Sequence, residues 1–224
     1  MVLKKIYLLL TLKLISNITG VAIILFFSAG KLHYKTSLVF VILFTICALL
    51  YAIVMLFKHP DLLKKRLIYK ENNTYQQIVI VLSLIICIAI LLAAGFTYRN
   101  DWLCLPVQRY YVSVGLFIVA TTLYFNVIKE NLYLTSEITV QDGQRVIQTG
   151  PYKIVRHPMY TAMILFMLAA DFVLGSILSL VLSLLFIPVL IMRIINEEKM
   201  LKQELTGYID YTKKVKYRLI PYLW

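Results

Sequence analysis

Six apolar runs alternate with short polar stretches along the chain: Ile6–Ser28, Thr36–Phe57, Gln77–Phe96, Tyr110–Ile128, His157–Val173 and Ile177–Ile194. About 20 apolar residues carry a helix across a bilayer. The runs therefore predict six transmembrane helices. The fifth is short and needs its flanking residues to reach the interface. Lys4 and Lys5 precede the first run, which reads as a retained helix rather than a cleaved leader. Pro188, inside the sixth run, predicts a kink.

The polar stretches carry their own signals. Pro60 stops the second helix, and Leu62, Leu63 and Leu67 beside Lys64, Lys65 and Arg66 predict a short helix lying on lipid head groups. Trp102, Tyr110 and Tyr111 predict an aromatic belt on the opposite face. Ile138-Thr139-Val140 and Arg145-Val146-Ile147 flank Asp142-Gly143, the pattern of a β-hairpin. Gly150-Pro151 breaks the chain before the fifth helix. Asp171–Ser176 predicts a turn at the outer face that exposes Asp171 to water. Gly207 is the expected end of the last helix, and the aromatic, basic tail from Tyr208 to Trp224 is expected to anchor at the interface.

Composition places this pattern in one class. Of 224 residues 61% are hydrophobic, and the mean hydropathy is +0.81. An all-α integral membrane protein is expected, a single polytopic domain over 1–224 with a four-helix part (1–128) and a second part (129–224). The net charge of +12 would suit nucleic acid, but its distribution does not. With six spans, eighteen of the 23 Lys and Arg fall on one face. The positive-inside rule makes that face cytoplasmic, with both termini on it, in a cell membrane whose anionic lipids it would contact. No nucleic-acid partner is expected.

Candidate chemistry lies at the ends of the last apolar hairpin. Gly150-Pro151-Tyr152-Lys153-Ile154-Val155-Arg156-His157-Pro158-Met159-Tyr160 stands at its entrance, and Arg193, Glu197 and Glu198 at its exit. A hairpin in hydrocarbon returns both clusters to one face. Pro158 suits the first helical position, because it lacks an N–H that this turn leaves unpaired. His157 is then the cap, at a helix terminus that attracts anions, and Arg156 adds a fixed positive charge. Arg193 and Glu197 share a helix face and can pair. Interfacial anchors and a surface ion pair are the plainer reading of each cluster alone. Cys47, Cys87 and Cys104 lack metal or redox spacing, no metal site is expected, and His33 and His59 carry no assignment.

Together, Gly150-Pro151-Tyr152, Arg156-His157-Pro158, Tyr160 and Glu197-Glu198 resemble the isoprenylcysteine carboxyl methyltransferase family, and its bacterial members in particular. The likeness continues through Leu201, Gly207, Tyr208, Tyr211, Val215, Arg218 and Pro221, and upstream to Gln141–Thr149 and His59-Pro60-Asp61-Leu62-Leu63. Phospholipid N-methyltransferases are similar in this region. The resemblance implies S-adenosyl-L-methionine as cofactor, in a cytoplasm-facing pocket made by 129–224. It implies contact with Gln144, Arg145, Val146, Ile147, Tyr152, His157, Pro158, Met159 and Tyr160, completed by Glu197 or Glu198. Arg156 and His157 suit the cofactor carboxylate, and a Glu suits its cationic end. Arg193 matches an arginine that faces the substrate, so Arg193, Glu197 and Glu198 are the catalytic candidates. The implied acceptor is a lipid-like or prenyl-like molecule with a carboxylate among the options. A phospholipid amine, an NADPH-dependent reductase and a transport subunit are the alternatives.

Overall fold

The computed structural model describes residues 2–31, 35–68, 73–134 and 139–224. His33 and Ile138 lie outside these residues. Among the described residues all regular structure is helical: α1 (Val2–Ala29), α2 (Lys35–Lys58), α3 (Pro60–Ile68), α4 (Thr74–Asn100), α5 (Arg109–Glu130), α6 (Pro158–Leu174), α7 (Ile177–Ser183), α8 (Phe186–Glu204) and α9 (Tyr208–Lys214). Four of these, α1, α2, α4 and α5, are long and apolar enough to cross a membrane singly, and α7 with α8 forms a fifth such stretch. The shorter apolar α6 makes the sixth element. The chain is a multi-pass helical membrane protein.

The sixth run breaks, and it breaks before its proline. The α-helical bonding pattern is interrupted at Leu184 and Leu185, between α7 and α8, although both backbones stay in the right-handed helical region, with φ of −60° and −65°. A proline ring clashes with the carbonyl four residues earlier, which for Pro188 is that of Leu184. The carbonyls of Val181 and Leu182 instead accept tight-turn bonds from the N–H groups of Leu184 and Leu185, at 3.2 and 3.0 Å.

Helix contacts pair α5 with α6, α1 with α4, and α4 with α7 and α8. Small residues allow the closest of these crossings. A Cβ on Gly95 of α4 would overlap the Ser28 hydroxyl of α1 and stand 2.8 Å from the Ala29 nitrogen. In hydrocarbon, dispersion between closely approaching backbones supplies much of the association. Phe27, Phe57 and Tyr111 stay exposed, as expected of side chains that meet lipid rather than water.

Four expectations need correction. The α3 helix does not lie on head groups by its leucines: Leu62 and Leu63 are buried in a cluster with Ile6, Leu10, Met55 and Ile128. The Asp142-Gly143 turn forms, with the Gln144 N–H on the Gln141 carbonyl at 2.9 Å, but no strands flank it. Asp171 is fully buried rather than water-exposed. The tail folds back to add two rungs beside the entrance to α6. There the Arg156 and His157 N–H groups donate to the Tyr217 and Arg218 carbonyls, both at 2.9 Å. Gly207 starts α9 rather than ending α8, which stops at Glu204.

Candidate functional site

The approach to α6 is fixed one residue at a time. A 3₁₀ turn spans Gly150–Lys153. Gly150 has a φ of 55°, and a Cβ there would meet the Glu130 Cγ at 2.7 Å. Both features favour glycine. Thr149 donates its hydroxyl to Glu130, which ties this turn to the end of α5. The Tyr152 hydroxyl accepts from Asn131 Nδ2 at 2.9 Å, and its carbonyl accepts from the Tyr211 hydroxyl at 2.8 Å. The entrance is therefore held between α5 and the tail before α6 begins.

His157 is the residue capping α6, with Pro158 at the first helical position, as expected. Its side chain makes no cap bond. The imidazole turns toward α8, Nε2 lying 3.3 Å from Glu198 Oε1 and Nδ1 3.9 Å from Glu197 Oε2. It also lies against the Tyr160 ring, with centroids 5.8 Å apart.

The two acids at the end of α8 do different things. Glu198 is buried. Its Oε1 accepts from Arg156 Nε at 2.6 Å, and its Oε2 accepts from Arg218 Nε at 3.1 Å. Arg156 Nη1 donates to the Val215 and Lys216 carbonyls at 2.7 and 2.8 Å. Glu198 is thus the hub that joins α8, the α6 entrance and the tail. Glu197 accepts the Tyr160 hydroxyl proton at 2.7 Å, and that hydroxyl accepts from Arg193 Nε at 2.9 Å. Arg193 and Glu197 therefore meet through Tyr160 of α6, where a pairing along one helix face was expected. Arg193 Nη1 also donates to Gln76 Oε1 of α4 at 3.3 Å.

Beside this constellation lies a hollow of about 820 Å³, the open space at its mouth included. Gln144, Arg145, Val146, Ile147, Tyr152, Arg156, His157, Met159, Tyr160 and Glu197 line it. Of the expected cofactor residues, Pro158 and Glu198 stand behind the wall, and so does Arg193 of the catalytic candidates. The remaining wall was not foreseen. Asn131, Tyr133 and Leu134 follow α5, Met200 and Leu201 come from α8, and Tyr208 and Tyr211 come from α9. The helical spacing of Leu201 and Leu205 signalled a packed face, but nothing local signalled that the tail returns.

The wall's chemistry suits a ligand with both apolar and charged parts. One side is aromatic and aliphatic, with Leu201, Leu205, Tyr208 and Tyr211 backed by Val140, Val146 and Met200. The other carries Glu197, His157 and Tyr160. The Tyr208 hydroxyl is buried in this wall with no hydrogen-bond partner among the described residues. Such an orphan group costs about 1–3 kcal/mol, which a polar ligand atom would offset. Burial pushes the phenols of Tyr152, Tyr208 and Tyr211 above their ordinary range, so each stays a neutral hydroxyl. No group of His, Cys, Asp or Glu among the described residues could hold a metal ion.

Below this hollow, toward the bilayer, is a larger and almost wholly apolar one, of about 1580 Å³ with its openings. Successive turns of α6 serve the two: Met159 and Tyr160 face the polar hollow, Met163, Phe166 and Met167 the apolar one. No match to the chain is found among curated proteins. Residues 113–203, from the first turns of α5 to the last turn of α8, match the Isoprenylcysteine carboxyl methyltransferase (ICMT) family model, and over that stretch the chain is similar to this family.

Proposed function

We propose that this chain is a membrane methyltransferase that uses S-adenosyl-L-methionine to methylate a lipid-like acceptor. The family match implies methyl transfer. The observation that carries the finer reading is the stacking of a polar hollow on an apolar one along α6. A polar cofactor and an apolar acceptor can then approach from opposite sides and meet at the turn from Met159 to Met163.

The cofactor would supply a methyl group activated on a sulfonium. The residues present fit such a molecule. Glu197, at the wall, offers the negative charge a sulfonium or ammonium needs. His157 and the first turn of α6 suit its carboxylate, and the aliphatic and tyrosine side offers a bed for an adenine ring. The orphan Tyr208 hydroxyl offers one more polar contact. Tyr160, hydrogen-bonded to both Arg193 and Glu197, holds the carboxylate in place and links it to α4 through Arg193. Glu198 acts as a positioning residue, since its oxygens face Arg156, His157 and Arg218. Methyl transfer is an in-line displacement, so orientation supplies much of the rate. A carboxylate acceptor needs no base; an amine needs one, and Glu197 is the wall group able to take the proton.

Titration calorimetry on detergent-solubilised protein tests the reading. The wild-type protein should bind S-adenosyl-L-methionine, and Glu197→Gln should bind it roughly tenfold more weakly, a loss of about 1.4 kcal/mol. A protein whose melting temperature rises with NADPH and does not respond to S-adenosyl-L-methionine would instead be a reductase. Transfer of a labelled methyl group into extracted lipids then identifies the acceptor class.

A further inference from the structure

We propose, resting on the methyltransferase reading, that Gln76 is a positioning residue for the cofactor site. It holds the Arg193 guanidinium off Glu197, and so leaves the Glu197 carboxylate to face a cation. Gln76 belongs to the first turn of α4, outside the segment matched to the family, and its side chain is fully buried. Asn73 caps that turn, its side-chain oxygen accepting from the Gln76 N–H at 3.2 Å, which fixes where the amide starts. The neighbouring Tyr75 hydroxyl reaches the Met192 carbonyl at 3.4 Å, so the turn is set against α8 one residue before Arg193.

Arg193 and Glu197 have the spacing on α8 at which opposite charges pair directly. Their contact runs instead through α6. Arg193 Nε donates to the Tyr160 hydroxyl at 2.9 Å, and that hydroxyl donates to Glu197 Oε2 at 2.7 Å. Arg193 Nη1 donates to Gln76 Oε1 at 3.3 Å. The guanidinium is thus drawn toward α6 and α4, and the carboxylate is left at the wall of the polar hollow. A direct Arg193–Glu197 pair would neutralise that carboxylate and deprive a cationic ligand of its partner. Stability does not account for an amide at this position. Gln76 Nε2 is buried with no hydrogen-bond partner among the described residues, and a buried donor without an acceptor destabilises the fold. The contact of the amide oxygen with Arg193 does account for it. The plainer role, a tie between α4 and α8, predicts a change in melting temperature and no change in the cofactor affinity of the folded protein.

A mutant cycle separates these roles, read by titration calorimetry with S-adenosyl-L-methionine on full-length protein in neutral detergent. Gln76→Leu removes the acceptor at similar volume. Arg193 Nη1 then turns to the carboxylate on its own helix face, and affinity should fall roughly fivefold or more as Glu197 is captured in a charge-assisted pair. Gln76→Glu still accepts from the guanidinium, so its affinity should stay within about twofold of wild type or exceed it. Once Arg193→Gln has removed the cation, adding Gln76→Leu should change affinity by less than about twofold, because a residue that acts only through another is not additive with it. An unchanged affinity in Gln76→Leu, or an equal loss with and without Arg193, would overturn the proposal. If Gln76→Leu does not fold, Gln76→Met, unbranched and equally unable to accept, takes its place in the cycle with the same expectations. The two readings fail differently. Wild-type binding beside an indifferent Gln76→Leu removes Gln76 alone, whereas a wild type that binds no cofactor removes the methyltransferase reading and this proposal with it.

Discussion

At the scale of single residues, the neighbours Glu197 and Glu198 make opposite predictions. Glu198 is buried against Arg156, His157 and Arg218. Removing one partner of a buried pair costs about 3–5 kcal/mol, because the other charge is left uncompensated. Glu198→Ala should therefore lower the melting temperature sharply in detergent, and activity should fall with folded protein. Glu197→Gln should leave the melting temperature nearly unchanged and reduce turnover in the folded fraction. Tyr208→Phe has a third signature. It deletes a buried hydroxyl that has no partner, so the ligand-free protein should melt at the same temperature or higher. Its affinity for S-adenosyl-L-methionine should drop roughly fivefold, about one neutral hydrogen bond; an unchanged affinity would take Tyr208 out of the site. His157, Tyr160 and Glu197 could be read in the sequence because they sit within one hairpin whose ends must return together. Glu198 looked equivalent to Glu197 because adjacent residues on a helix differ by a rotation that only packing gives meaning. Tyr208, Tyr211 and Asn131 could not be read, since they reach the wall from segments whose approach is a tertiary fact.

At the scale of elements, hydropathy located the membrane helices because a bilayer demands internally satisfied backbone and apolar faces. It could not locate the crossings between them, which depend on where side chains are missing. Gly95 marks one. Gly95→Ala would press a methyl group on the Ser28 hydroxyl and the Ala29 nitrogen, and a backbone neighbour yields less than a side chain. Overpacking of this kind costs about 1–3 kcal/mol. The α1 and α4 pairing should loosen, seen as a lower melting temperature, with only partial rescue by Ser28→Ala, which frees the hydroxyl but not the nitrogen. The hairpin expected around Asp142-Gly143 illustrates the reverse error. Its turn chemistry was legible and its strands were not formed, because Val140 and Val146 pack on the α8–α9 face instead of pairing with each other. The tail makes a pH prediction. Tyr152, Tyr208 and Tyr211 join it to the α6 entrance, and burial raises each phenol above the ordinary value near 10. The folded state then holds protons that the unfolded chain releases. Their contribution is fully present below pH 10 and is lost as pH rises beyond it. Melting temperatures should be flat from pH 8 to 10 and fall above, less steeply in Tyr208→Phe.

For the whole molecule, the question is which face of the membrane holds the polar hollow. The fold divides cleanly. The α4–α5 loop and the α6–α7 turn meet at one end, where the Leu105 and Ile177 N–H groups donate to the Gly175 and Leu103 carbonyls at 2.9 and 3.0 Å. The hollow, α9 and the tail occupy the other. Lys and Arg concentrate at the second end, and by the positive-inside rule we propose that it faces the cytoplasm, where a charged nucleoside cofactor is made and cannot cross hydrocarbon unaided. The three cysteines report this directly. Cys104, exposed in the α4–α5 loop, belongs to the end away from the hollow, whereas Cys47 and Cys87 belong to the wall of the apolar cavity. A membrane-impermeant maleimide added to intact cells should label the wild type and fail on Cys104→Ser. A tag after Trp224 should become accessible only once the membrane is opened. Labelling of Cys104 only from the cytoplasmic side would invert the molecule. The hollow would then face a compartment with no supply of the cofactor, and the methyltransferase reading would have no source for its methyl group.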